Sequence, residues 1–142
     1  MQIKEIMTTN VKTIRPEDTV KSLAQIMIKE NIGDMVVISG SGIIAGIATE
    51  RDIIKQVVVS GSFGETKVQD IMTKEILTIG PEATLEEAAD VMVKNKIKKL
   101  PVIDKGRLVG IVTATDLVAY ENKLVEKVAH LITSSPMKNI GG

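Results

Sequence analysis

IKEIMTTNVKTIRPEDTVKSLAQIMIKENIGDMVVI, residues 3–38, and VQDIMTKEILTIGPEATLEEAADVMVKNKIKKLPVI, residues 68–103, are one pattern written twice, 65 positions apart. Further along, GIIAGIATERDII (42–54) answers GRLVGIVTATDLV (106–118), with one residue fewer in the second copy's intervening loop. Two copies are too few for a solenoid, whose stacked units need three or more. The expected arrangement is a pair of half-domains packed face to face and sharing one core.

Within each copy the order of elements follows from spacing. A short apolar segment (3–7 or 68–72) precedes a strand-like run (11–14 or 76–79) and a Pro-Glu turn. Thr19 and Thr84 then stand at N-cap positions; Thr84 has Glu87 three residues on, the pattern of a capping box, whereas Thr19 has Ser22. Val20, Leu23, Ala24, Met27 and Ile28 match Leu85, Ala88, Ala89, Met92 and Val93, a helical spacing that predicts one buried stripe in each copy. An apolar strand follows (35–38 or 100–103), then a Gly-containing turn, a second strand ending at Thr49 or Thr113, and a further helix. The fold class is therefore α/β (α+β): strand, helix, strand, strand, helix, twice. The first repeat covers 1–59, SGSFGET a linker at 60–66, the second repeat 67–122, and a helical extension with a tail 123–142. Leu117, Leu124, Val128 and Leu131 form one apolar edge along that last helix, which reads as a packing surface, and the closing SSPMKNIGG is expected to be disordered.

Composition excludes several functions. With 44% apolar residues in 142, the chain can build a core without staples. It has no cysteine, hence no thiolate nucleophile, zinc-cysteine site or iron-sulfur cluster, which suits a reducing cytoplasm. Its apolar runs are far shorter than the roughly 20 residues of a membrane span, and no signal-peptide pattern opens it, so a soluble, cytoplasmic protein is expected. Eighteen basic residues balance eighteen acidic ones, and only one Phe and one Tyr are present. Neither a basic field nor stacking platforms favour nucleic acid. The single histidine, His130, lies far from both repeated motifs and no nucleophile-base-orienter set is visible, so the chain does not read as an enzyme.

Chemistry concentrates in Gly46-Ile47-Ala48-Thr49-Glu50-Arg51-Asp52 and Gly110-Ile111-Val112-Thr113-Ala114-Thr115-Asp116. A glycine inside a strand permits close approach of a ligand or of another backbone. The threonine stands where a strand turns into a helix, a place that favours phosphate, and the aspartate can accept from a ribose diol. The same Thr-x-x-Asp spacing also describes a helix cap with a returning carboxylate, which needs no ligand. Both readings stand on the sequence.

The two copies resemble a tandem pair of CBS domains, a Bateman module, over about residues 1–122; the match is carried by EIM and DIM, TI-x-PE, IGDMVVI and IKKLPVID, and GIATERD and GIVTATD. The resemblance implies two repeats packed as a pseudo-twofold pair, a regulatory and non-catalytic role, and clefts between repeats for AMP, ADP, ATP or S-adenosylmethionine. It places Thr49 and Asp52, and Thr113 and Asp116, at phosphate and ribose, with Ile47 and Ile111 near sugar or base. It sets Ile32, Gly33 and Asp34 beside one cleft and Ile97, Lys98 and Lys99 beside the other. Arg51 in the first motif, against Thr115 in the second, makes the clefts unequal: phosphates beside Arg51 would meet Lys98 or Lys99, while Asp34 would repel phosphate in the opposite cleft. Lys94 and Lys96 complete that lysine group, which a solvated helix end also explains. No metal site is expected. The resemblance further implies a homodimer and an effector on another protein. The alternative is a dimerisation scaffold that binds nothing small.

Overall fold

The computed structural model describes residues 1–61 and 64–134. In the first repeat β1 (Thr13–Ile14) runs parallel to β2 (Asp34–Ile38), which pairs antiparallel with β3 (Ile44–Thr49). The helix α1 (Val20–Glu30) connects β1 to β2, and α2 (Glu50–Ser60) follows β3. The second repeat has the four-residue helix α3 (Val68–Ile71), α4 (Leu85–Asn95), the antiparallel pair β4 (Lys99–Asp104) and β5 (Arg107–Thr113), and α5 (Ala114–Ser134). Where the second copy repeats β1, Ile79 alone makes a parallel bridge to Val102. Both hairpins shift register at the same place, Val37/Ile38 and Val102/Ile103.

Each helix forms for local reasons. Thr19 Oγ1 accepts from Ser22 N–H at 3.1 Å and Thr84 Oγ1 from Glu87 N–H at 3.1 Å, each satisfying one first-turn donor. The returning Glu87 carboxylate expected from the sequence is not formed. Backbone from the opposite repeat lies along both caps instead, pairing Lys67 with Thr19 and Gln2 with Thr84. Val20, Leu23 and Met27 are buried along α1, as are Ala88 and Met92 along α4. The stripes are narrower than the spacing predicts: Ile28 is 81% and Val93 79% exposed, because one step past the buried methionine turns the side chain about 100° off the core face. Both helices end in a left-handed residue, Asn31 (φ 55°) and Lys96 (φ 54°). Asparagine tolerates that conformation and lysine has no device for it. Lys96→Gly is therefore expected to raise stability by about 0.5–1 kcal/mol, read as a higher urea midpoint at unchanged slope; a lower midpoint would contradict it.

The shared core expected from the sequence is replaced by two cores, each finished by a segment of the opposite repeat. Ile14, Leu23, Met27, Met35, Val37 and Ala48 of the first repeat close around Val68 of the second. Ala88, Met92, Leu100, Val102 and Val112 close around Ile3, from the 3-10 turn Ile3–Glu5. The crossing arms are held by reciprocal backbone bonds. Thr73 exchanges N–H···O bonds with Ile47 (2.8 and 3.0 Å), and Thr8 with Ile111 (both 2.9 Å). Gly46 and Gly110 make room: a Cβ on Gly46 would stand 2.6 Å from Thr73 O, and one on Gly110 2.9 Å from Thr8 O. The strand glycines therefore admit another backbone, one of the two uses the sequence left open.

The helix α2 stops at Gly61, whose left-handed conformation (φ 74°) ends the last turn. At the equivalent place α5 carries Val125 and runs on to Ser134, 21 residues in all, so the extension read from the sequence is one continuous helix. Its far half is exposed, including Leu124, Val128 and Leu131 of the predicted edge. Of the closing SSPMKNIGG, expected to be disordered, Ser134 is instead the last residue of α5; the rest, from 135 on, and positions 62 and 63 of the linker lie outside the described residues.

Candidate functional site

The antiparallel register dictates which side chains share a site. Asp34 stands opposite Thr49 and Val36 opposite Ile47; in the other repeat Lys99 faces Thr113 and Pro101 faces Ile111. Where the repeats meet, a cleft of about 440 Å³ takes Asp34, Val36, Ile47 and Thr49 from the first. The second contributes Lys96 to Lys99, Pro101 and Ile111. Asp34 and Lys99, Val36 and Pro101, and Ile47 and Ile111 are equivalent positions of the two copies. The cleft thus straddles the pseudo-twofold axis. Its floor is aliphatic and its rim is cationic, with no aromatic ring among the lining residues.

On the axis, Lys99 Nζ donates to Asp34 Oδ1 at 3.1 Å. This corrects the expectation that Asp34 belongs to a cleft opposite that of Thr49 and Lys99. Cross-strand pairing puts Asp34 beside Thr49, and the pseudo-axis puts its equivalent, Lys99, against it. The predicted residues brought together are Asp34, Ile47, Thr49, Ile97, Lys98, Lys99 and Ile111. The others lie apart from this lining. Ile32 packs on the first core, Gly33 is covered by the Glu50 side chain, and Arg51 and Thr115 are exposed in the first turns of their helices. Asp116 borders a separate hollow of about 270 Å³ with Glu5, Tyr120 and Lys123. Val36 and Pro101 were missed, and Lys96, read only as part of the lysine group, joins the lining; the first two lie two residues along the strand from Asp34 and Lys99, so period-2 counting from the charged pair would have found them.

Both Thr-x-x-Asp motifs form the cap that the spacing allowed. Thr49 N–H donates to Asp52 Oδ2 at 2.9 Å, Thr49 Oγ1–H to the same oxygen at 3.1 Å, and Asp52 N–H to Thr49 Oγ1 at 3.2 Å. Thr113 and Asp116 repeat the backbone part of this box, at 2.9 and 3.0 Å. Glu50 N–H goes to Gly33 O at 2.9 Å, and Ala114 N–H to Lys98 O at 2.8 Å. First-turn donors are thus largely used by the fold. Asp52 Oδ1, by contrast, accepts no hydrogen bond among the described residues, so the capping role and a ribose contact are compatible. Elsewhere in the described residues no group of three or more His, Asp or Glu side chains is arranged to hold a metal, and no helix is long and apolar enough to cross a membrane.

Known proteins with the same pattern place the chain. Across 97% of its length and 97% of the relative's, it is 33% identical to the CBS domain-containing protein YhcV of Bacillus subtilis. It is 40% identical over 114 residues to inosine-5'-monophosphate dehydrogenase of Korarchaeum cryptofilum, but spans only 23% of that protein. The crystal structure of the CBS domain pair of protein MJ0100, in complex with 5'-methylthioadenosine and S-adenosyl-L-methionine, superimposes with a TM-score of 0.74 at 27% identity, covering 87% of this chain and 98% of that one. The CBS domain model matches twice, at residues 3–59 and 68–123, which are the two repeats; the chain belongs to the CBS domain family, as a tandem pair.

Proposed function

We infer that this CBS pair is a regulatory module that binds an adenosyl ligand in the cleft on the pseudo-twofold axis and passes the bound state to another protein. The observation that carries this is the composition of the cleft: Val36, Ile47, Pro101 and Ile111 offer an aliphatic bed for a heterocycle, and polar groups from both repeats rim it. A ligand there touches both halves at once. It therefore stabilises the arrangement of repeats it fits best, which is the requirement for a signal. The adenosyl ligands in the MJ0100 pair support the choice of ligand class, and CBS pairs are in general regulatory rather than catalytic. Arg51 and Asp52 complete the first half of the site in this reading, Asp52 through Oδ1, while Thr113, Thr115 and Asp116, with Ile32 and Gly33, belong to a second, weaker site apart from this cleft. The module works in the cytoplasm as a homodimer.

The test is calorimetric and thermal-shift titration with AMP, ADP, ATP, S-adenosylmethionine and GTP. An adenosyl ligand at one hundred times its Kd is expected to add about 2.7 kcal/mol of stability, with GTP giving less. Asp52→Ala separates the two roles of that carboxylate. Losing the carboxylate that returns to the Thr49 N–H costs about 1 kcal/mol of stability. Losing a charged acceptor weakens adenosyl binding by about tenfold or more. Loss of stability at unaltered affinity would leave Asp52 as a cap alone.

A second reading, a scaffold with an empty cleft, is favoured by one observation. Val58, Val59, Val125 and Ile132 are each more than half exposed on α2 and α5, apolar surface of the kind a second copy covers. A dimer whose melting point no ligand moves would establish that reading.

A further inference from the structure

The cleft's charges are not spent equally. Lys96, Lys98 and Lys99 all line it, three ammonium groups against the single carboxylate of Asp34. Lys96 and Lys98 form no ion pair among the described residues, whereas Lys99 is held by Asp34. Outside that lining the first repeat adds two carboxylates and one guanidinium, Glu50 folded against Gly33, Asp52 bonded to Thr49, and the exposed Arg51, so cations still outnumber carboxylates. The cleft as a whole is therefore cationic. Such a site repels a sulfonium and leaves an uncharged nucleoside without a partner for its lysines.

The Lys99–Asp34 pair joins the repeats across the pseudo-axis, yet Lys99 is 45% and Asp34 34% exposed. A pair so open to water is held weakly and exchanges partners readily. A phosphate in the cleft offers Lys99 more charge than a carboxylate does, together with two unpaired neighbours, Lys96 and Lys98, that can share it.

We propose that Asp34 is a built-in competitor for the ligand's phosphate: the cleft selects phosphate-bearing adenosyl ligands, and binding one transfers Lys99 from Asp34 to the phosphate, opening a side-chain link between the repeats. This rests on the adenosyl-ligand reading above and adds both the charge class of the ligand and the bond it breaks. The regulatory event is then local. An inter-repeat ion pair is exchanged for contacts to a ligand lying between the same two repeats.

The test compares AMP with adenosine by calorimetry, in the wild-type chain and in Asp34→Asn and Lys99→Met, at low and at raised salt. In the wild type AMP binds more tightly than adenosine, and the gap narrows as salt screens the lysines. Removing the competitor in Asp34→Asn widens the AMP-to-adenosine affinity ratio by about two- to fivefold. Lys99→Met narrows it. Equal binding of the two ligands by the wild type, or a ratio that neither variant moves, overturns the proposal while leaving an adenosyl site in place. Failure of both ligands to bind at all overturns the adenosyl reading itself and this proposal with it.

Discussion

Gly46→Ala destabilises the protein by about 2–3 kcal/mol, the cost of forcing extra atoms into a closed contact. The sign alone makes the result diagnostic. In a strand whose backbone suits alanine, replacing glycine restricts the unfolded chain and stabilises by about 0.4–1 kcal/mol. Here the new Cβ would stand 2.6 Å from the carbonyl oxygen of Thr73 and 3.0 Å from Met72 Sδ. The Thr73 carbonyl cannot retreat without breaking the bond it accepts from Ile47 N–H, one of the reciprocal pair that fastens the second repeat's arm to β3. Gly110→Ala is expected to cost less. Its nearest obstacle, at 2.6 Å, is Met7 Sδ, near the end of a flexible side chain, and the carbonyl of Thr8 stands farther off at 2.9 Å. Urea unfolding of the two variants measures the order. A stabilised Gly46→Ala would mean that the arm does not lie on the strand.

Ile3→Ala is expected to cost about 2–4 kcal/mol, the range for emptying a fully buried aliphatic site. Ile3 is wholly excluded from solvent although it stands three residues from the start of the chain. What distinguishes this loss from an ordinary core truncation is where it falls. Ile3 belongs in sequence to the first repeat but packs among Ala88, Met92, Leu100, Val102 and Val112 of the second. Native-state hydrogen exchange should therefore show α4, β4 and β5 opening more readily while β2 and β3 keep their protection. Val68→Ala should give the mirror image, loosening β2 and β3 from the far side of the linker. Protection lost first in the repeat that carries the substitution would show that the arms do not cross. Either repeat expressed alone would lack the side chain that closes its core.

Crossed arms also explain why a site between the repeats can be regulatory. Ile47 and Ile111 line the cleft with their side chains while their backbones hold Thr73 and Thr8. A ligand against these isoleucines thus presses on the same two residues that fasten the repeats together. The coupling would run through one residue on each side.

Local structure was legible because it is written at short range. The turn of a helix brings Val20, Leu23 and Met27 together, and the reach of a threonine hydroxyl sets Thr49 three residues from Asp52. Spacing alone therefore places the helices, the caps and the strand ends, and repetition, at an interval of 65 before the hairpin loop and 64 after it, makes each assignment twice. The same short range accounts for what was misjudged. Ile28 and Val93 are apolar and fall near the stripe, but each stands one residue past the buried methionine, about 100° off the core face, and stays in water.

Tertiary structure decided the rest: that the cores are two, that Ile3 and Val68 serve the opposite repeats, that Asp34 shares a cleft with Thr49, and that Lys99 reaches Asp34 across the axis. All of these join residues far apart in the chain, through contacts between surfaces that exist only after the helices and hairpins have formed. The sequence determined the parts and their doubling, since those depend on hydrogen bonds and rotations a few residues long. Which part lies against which depended on burying both apolar faces at once, and on the close backbone approach that Gly46 and Gly110 permit.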